Sequence, residues 1–212
     1  KRALSEIVVD AEKELEAMTW PEGYSYEFGG AEEDRQEAFG GMGLALIIGV
    51  LLIYIILASL FESTIHPFTI MLAIPLQVIG VFAALLLTGT PVNIMVMLGI
   101  LMLTGIVVSN SILLVQMVNV LRERGLQLEE AITEGGRIRL RPILMTALAT
   151  IFAMIPLALG FRSGSEMWQP MAIAVIGGLI TSTFLTLLVV PVAYSLMDGL
   201  SRKIGWLLRL GK

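Results

Sequence analysis

Five stretches of the chain contain no Asp, Glu, Lys or Arg: 43–61, 67–88, 92–121, 142–161 and 169–197. A helix crosses a hydrocarbon layer about 30 Å thick with about 20 apolar residues. Each stretch therefore predicts one membrane-spanning helix, with spans expected at about 40–61, 67–88, 92–121, 142–162 and 169–197. Five fully buried helices of a water-soluble protein would need a far larger polar shell than 212 residues supply. The fold class expected is all-α and integral to the membrane.

The first 39 residues follow another pattern. Leu4, Ile7, Val8, Ala11, Leu15 and Met18 recur at helical spacing with Glu and Lys between them, which predicts an amphipathic helix over 3–18. The segment 19–23, TWPEG, ends it. In YSYEF, 24–28, Tyr24, Tyr26 and Phe28 alternate with Ser25 and Glu27, which predicts a short strand. One helix and one strand cannot enclose a core, so their partners are expected outside this chain. No apolar leader stands in these 39 residues and the chain starts at Lys1, as expected of a piece of a longer protein.

Charge orients the spans. The connections 62–66 and 89–91 are short, whereas 122–141 holds five arginines: Arg122, Arg124, Arg137, Arg139 and Arg141. The tail adds Arg202, Lys203, Arg209 and Lys212, while the connection near 162–168 holds only Arg162. Basic residues collect on the cytoplasmic side. That places 122–141 and a basic tail, 200–212, in the cytoplasm and 1–39 outside it. Within the basic loop, 126–135 is expected to be an interfacial helix closed by Gly135-Gly136, and 204–210 an interfacial anchor. Pro67, Pro142 and Pro170 fall near span starts, whereas Pro75, Pro156 and Pro191 fall inside spans and are expected to bend or open them.

Composition sharpens the division. Residues 1–39 carry four basic and eleven acidic side chains, a net of −7, and the remainder ten basic and seven acidic, a net of +3. There is no cysteine, which excludes disulfides and thiolate metal sites. The lone His66 has no partner cluster and Ser109 has no base in any span, so an enzyme is not expected.

Candidate chemistry sits in the third span. Ser109, Asn110 and Ser111 interrupt its apolar run, and Gly99, Met102, Gly105, Ser109, Ile112, Gln116 and Asn119 fall on one helical stripe. Such a small, polar stripe is expected to face protein, with Gly105-xxx-Ser109 admitting a neighbouring backbone. A span serine usually bonds its own backbone four residues back, which is expected of Ser111. Asn110 is different, because a mid-membrane carboxamide is costly unless paired. In the fourth span, Arg139 and Arg141 stand at the cytoplasmic mouth, and Thr146 lies two turns from Arg139 on the same face, continued by Thr150 and Ala153.

The run RIRLRPILMTALATIFAMIPLALG, 137–160, is similar to the eleventh span of resistance–nodulation–division (RND) efflux transporters. FGGMGLALIIGVLLIYIILASLFES (39–63), HPFTIMLAIPLQVIG (66–80), GIVVSNSILLVQMVN (105–119) and MWQPMAIAVIGGLITSTFLTLLVVPVAYSL (167–196) resemble other spans, in family order. The resemblance implies spans eight to twelve of a twelve-span exporter of drugs or amphiphilic small molecules, about 40–199 here. Residues 1–39 would end the periplasmic porter domain. It implies an inner-membrane, proton-driven homotrimer working with a periplasmic adaptor and an outer-membrane channel. No cofactor beyond the proton motive force and no nucleic acid are implied.

The family's central aspartate pair lies on the fourth span, part of the N-terminal remainder that would complete the protein. Facing it, drug exporters carry Lys then Asn where this chain has Ser109 and Asn110, so Asn110 matches and Ser109 departs. Arg139 and Thr146 match the family's relay positions. A serine exchanges hydrogen bonds but cannot supply the lysine's charge, so coupling is expected to differ or to rest more on Arg139. Two alternatives stand beside drug export. One is heavy-metal export, with Met95, Met97, Met102 and Met117 as a thioether path. The other is a non-pumping lipid- or sterol-sensing module of the same fold, which the missing lysine favours.

Overall fold

The computed structural model describes residues 4–18, 20–21, 23–26, 28, 31–61, 65–161 and 164–210, with side chains omitted at 4–6, 31, 32, 34, 35, 65, 66 and 198–210. Seven α-helices follow in order: α1 (Leu4–Glu16), α2 (Ala31–Leu60), α3 (Ile65–Met71), α4 (Ala73–Thr88), α5 (Ile94–Glu123), α6 (Leu128–Ala158) and α7 (Gln169–Leu210). Residues 1–47 and 48–212 form two compact units. His66, read above as lacking a catalytic partner, has its side chain outside the described residues, as does the tail 204–210, whose backbone continues α7.

In the first unit the amphipathic helix forms as expected. Val8, Ala11 and Leu15 are half-buried, while Ile7 and Met18 stay open to solvent. The indole N–H of Trp20 caps the end by donating to the Leu15 carbonyl at 2.9 Å. The expected strand over 24–28 does not form among the described residues. The amide of Tyr24 closes a turn onto the Pro21 carbonyl at 3.2 Å, and Gly23 takes a positive φ of 92°. Without a second strand there is no ladder to hold the segment extended. Trp20, Tyr26 and Phe28 stack in sequence instead, with ring centroids 5.8 and 5.7 Å apart, and Tyr24 is turned outward.

Five helices are long and apolar enough to cross a membrane, over Gln36–Leu60, Pro67–Thr88, Ile94–Glu123, Leu128–Ala158 and Gln169–Met197. Their boundaries depart from expectation in three places. Helix α2 already starts at Ala31, because nothing in the charged run 32–37 breaks a helix. The second span is two helices, α3 and α4, separated at Leu72. Pro75 explains the gap, since it offers no N–H to the preceding turn. The segment 126–135, expected as a separate interfacial helix, is continuous with the fourth span in α6, which runs on through Pro142 and Pro156. Gly135 does not close a helix there. A Cβ on it would meet Val118 Cγ2 at 2.9 Å, so its role is to let α6 lie close on α5.

In the second unit α7 is the hub, packing against α3, α4, α5 and α6, while α5 also lies on α4 and α6. The core is built from residues such as Ile70, Val81, Leu85, Leu103, Leu114, Val115, Leu179 and Val190. Of the described α2 side chains only Leu57 is buried. The tightest crossing is α4 on α7. A Cβ on Gly177 would sit 2.2 Å from Ala84 Cβ and 2.8 Å from the Gly80 carbonyl, and one on Gly80 would sit 2.4 Å from Thr181 Cβ. Small residues let membrane helices approach until their backbones touch, and dispersion contacts then hold them. Gly105 is not such a position within this bundle, since nothing lies within 4 Å of its would-be Cβ.

The turn between α4 and α5 follows from its residues. Gly89 takes φ 65° and its N–H reaches the Leu85 and Leu86 carbonyls. Asn93 then accepts the Val96 amide at 3.0 Å through its side chain, capping α5. At the next turn on the same side, Gln169 Nε2 donates to the Ala158 carbonyl at 2.8 Å and ties α6 to α7.

Candidate functional site

The middle of α5 distributes its three polar residues to three environments. Ser111 is buried and donates to the Val107 carbonyl at 2.9 Å, satisfying itself within its own helix as expected. Ser109 is exposed, on the face that also presents Met102, Gly105 and Gln116. Asn110 lies between, half-buried, in a crevice whose other walls are Val107 of α5, Ile143 of α6 and Leu179, Ser182, Thr183 and Thr186 of α7. No hydrogen bond reaches the Asn110 carboxamide among the described residues. The predicted stripe thus has its inner end, Gly99, buried against the Met171 carbonyl, 3.1 Å from a would-be Cβ. Met102, Gly105, Ser109 and Gln116 turn away from this bundle, while Ile112 packs against its core.

On α6, Arg139 is half-buried, and its Nε is enclosed with no hydrogen-bond partner among the described residues. Neighbouring arginines differ: Arg141 is exposed, and Arg137 makes only an outlying contact with Glu134 at 3.9 Å. Thr146 is exposed and spends its hydroxyl on its own helix, reaching the Ile143 and Pro142 carbonyls at 3.0 and 3.2 Å. Among the described residues Asn110, Ser109, Arg139 and Thr146 make no direct bond to one another. Ile143, one turn beyond Arg139, is the α6 residue that reaches the Asn110 crevice.

Two polar constellations escaped sequence reasoning. In the core, Gln77 Nε2 of α4 donates to Thr104 Oγ1 of α5 at 2.5 Å, and Thr104 donates on to the Ile100 carbonyl at 2.8 Å. Near the basic loop, Arg122 Nη1 donates to the Tyr194 phenol at 3.3 Å, and that phenol donates to Asn119 Oδ1 at 2.5 Å. The hydroxyl run Thr181-Ser182-Thr183 with Thr186 was the available signal for the α7 wall of the crevice. For Gln77 a lone amide in an apolar span was the signal. A groove of about 810 Å³ between the ends of α4 and α7 is bordered by Gly80, Thr88, Pro91 and Thr181 and carries no charged side chain. Among the described residues no group of His, Asp and Glu is placed to hold a metal ion.

Five helices long and apolar enough to cross a membrane, one of them the hub on which α3 to α6 pack, define a multi-pass membrane protein. The sequence profile of the AcrB/AcrD/AcrF family matches residues 1–198, and the chain belongs to that family. It is 41% identical over 193 residues to the swarming motility protein SwrC of Bacillus subtilis (strain 168), covering 91% of this chain and 18% of that protein. It is 34% identical over 206 residues to the multidrug resistance protein MdtC of Erwinia tasmaniensis, covering 97% of this chain and 20% of that one. A crystal structure of a heavy metal efflux pump superposes with a TM-score of 0.81 at 32% identity over 93% of this chain and 20% of the pump. The chain thus spans about a fifth of the length of the relatives it matches. The resemblance to RND permeases read from the motifs stands on these findings.

Proposed function

We propose that this chain is the C-terminal membrane portion, spans eight to twelve, of a proton-driven RND exporter of drugs or amphiphilic small molecules. One observation carries the reading. Asn110 and the Arg139 Nε–H lack partners among the described residues, and the Gly105–Ser109 face of α5 is open. An enclosed charged donor such as the Arg139 Nε–H left without a partner costs about 1–3 kcal/mol or more, whereas Asn110 is only half-buried. The open face and the unpartnered groups are accounted for by acidic side chains on the N-terminal remainder of the protein, as the resemblance implies. Asn110, Ser109, Arg139 and Thr146 then serve proton coupling, with Arg139 the one fixed cation, and transport is a secondary active process without catalysis. The assembled protein is a homotrimer in the bacterial inner membrane, with a periplasmic adaptor and an outer-membrane channel.

The test is export of a fluorescent amphiphile by the full-length protein in proteoliposomes. Transport should follow an imposed proton gradient and stop when the gradient is collapsed; transport indifferent to the gradient would sink the reading. Heavy-metal export is the second reading, supported by the name of the solved neighbour. Met102 faces outward and Met117 packs on the core, which speaks against a shared thioether path, and copper or zinc uptake in the same vesicles separates the two.

Orientation rests on the nine basic residues of the 122–141 loop and the tail against one in the short outer loops. It puts residues 1–39 in the periplasm and the C-terminus in the cytoplasm. Single cysteines at Thr90 and Gly199 test it: in intact cells an impermeant thiol reagent should label the first and not the second. The reverse pattern would invert the topology.

A further inference from the structure

The α7 wall of the Asn110 crevice carries three hydroxyls, and they are not equivalent. Ser182 and Thr183 both donate to the Leu179 carbonyl, at 3.3 and 2.6 Å, so their own helix takes up their protons. Thr186 is 2% exposed, and its Oγ1 has no partner among the described residues. It borders the same crevice as Asn110. The Asn110 carboxamide carries both donors and an acceptor, and it too makes no hydrogen bond among the described residues. The free space in the crevice amounts to about 10 Å³, close to the smallest that holds one water.

We infer that the crevice between α5, α6 and α7 is a binding site for a single buried water, held between the Thr186 hydroxyl and the Asn110 side chain. The chemistry of the lining selects water. A buried water needs two to four polar partners. Thr186 and Asn110 supply two, and the Ser182 and Thr183 oxygens keep lone pairs that accept a hydrogen bond. No charged side chain lines the crevice, so a metal cation would be left uncompensated in a low-dielectric interior. Val107, Ile143 and Leu179 supply the apolar part of the lining, and the small free volume leaves no room for a larger ligand. The water satisfies the two orphaned groups and ties α5 to α7 at mid-span. If the transport reading above holds, the water also fixes the carboxamide from behind while the Ser109 face meets the rest of the protein. The site itself does not depend on that reading.

A density map of the full-length protein, at a resolution where other internal waters appear, tests this. One peak is expected within hydrogen-bond distance of both Thr186 Oγ1 and the Asn110 side chain. Thr186→Val keeps the shape and removes the hydroxyl, and the peak should be lost; Thr186→Ser should retain it. An empty crevice in the wild type would overturn the inference. So would a direct Asn110–Thr186 bond in place of water, or a peak that survives Thr186→Val. Should Thr186→Val fail to accumulate, the wild-type map and Thr186→Ser decide. Because no transport is measured, failure of the export reading leaves this outcome intact.

Discussion

Replacing Arg139 by alanine in the full-length protein should abolish proton-driven export while leaving the amount in the membrane unchanged. Asn110→Ala should do the same. The reason is the state of the two side chains in the fold. An arginine that held the bundle together would be engaged, yet its Nε is enclosed without a partner and no ion pair to it is seen among the described residues. Among the described residues of these five spans, truncating the guanidinium forfeits no bond; what it loses is the pairing proposed above with acidic side chains of the N-terminal remainder, which serves coupling. Asn110 likewise gives up no hydrogen bond to protein, and its loss enlarges a crevice that already exists. The direct packing of these spans on one another should therefore be little changed, and membrane abundance with it. The coupling chemistry, by contrast, loses its fixed cation or its carboxamide. Export assays paired with quantitative immunoblotting of membranes would check both variants. A fall in abundance that tracks the fall in activity would return these residues to a structural role.

The opposite signature is expected of Gly177→Val: lost protein rather than lost coupling. A Cβ there meets Ala84 Cβ at 2.2 Å and the Gly80 carbonyl at 2.8 Å. Neither obstacle can rotate aside, because an alanine has no rotamer and a carbonyl belongs to the backbone. The two helices must separate, which also breaks the fit of Gly80 against Thr181. Overpacking of this kind costs about 1–3 kcal/mol, whereas exchanging glycine for a β-branched residue in a helix returns only a few tenths of a kcal/mol. The clash wins. Membrane abundance should drop several-fold and the thermal midpoint of the purified protein should fall. A variant with wild-type abundance and midpoint would show that α4 and α7 do not cross as described. Gly105→Val, with open space around it, should leave this bundle's own packing intact.

How much of this was legible beforehand differs by feature. The five spans were plain, because a run of about 20 residues without charge has few other uses in water or lipid. The amphipathic α1 and the turn at Gly89 to Pro91 were equally plain. The strand was not, because alternation at 24–28 states only what the segment could do beside a partner. The join of 126–135 to the fourth span was hidden by Gly135-Gly136, which read as a stop signal and proves to be a packing surface against Val118. The choice of close-packed glycines failed for a related reason. In a membrane helix lipid and protein faces are both apolar, so periodicity does not say which small residue meets a neighbour. Gly105-xxx-Ser109 and Gly177-xxx-Thr181 have the same form; only the second is a contact within this bundle. The candidate site was half legible. Asn110 was singled out by its carboxamide in mid-span and Arg139 by its place at a span end on the face of Thr146, and both by the family resemblance. Thr186 and Gln77 were passed over because single hydroxyls and amides in spans usually serve their own helix, as Thr104 and Ser111 do here.

The continuity of α6 has a mechanical consequence. Its 31 residues make a rod about 46 Å long at 1.5 Å per residue, well beyond the hydrocarbon thickness. Gly135 seats it against Val118, and Pro142 and Pro156, which offer no N–H to the preceding turn, are where it bends most easily. The far end is tethered to α7 by the Gln169 bond to the Ala158 carbonyl. A tilt of the segment before Pro142 would be taken up by bending at either proline, and what is not taken up there would reach that tether at the other end of the helix.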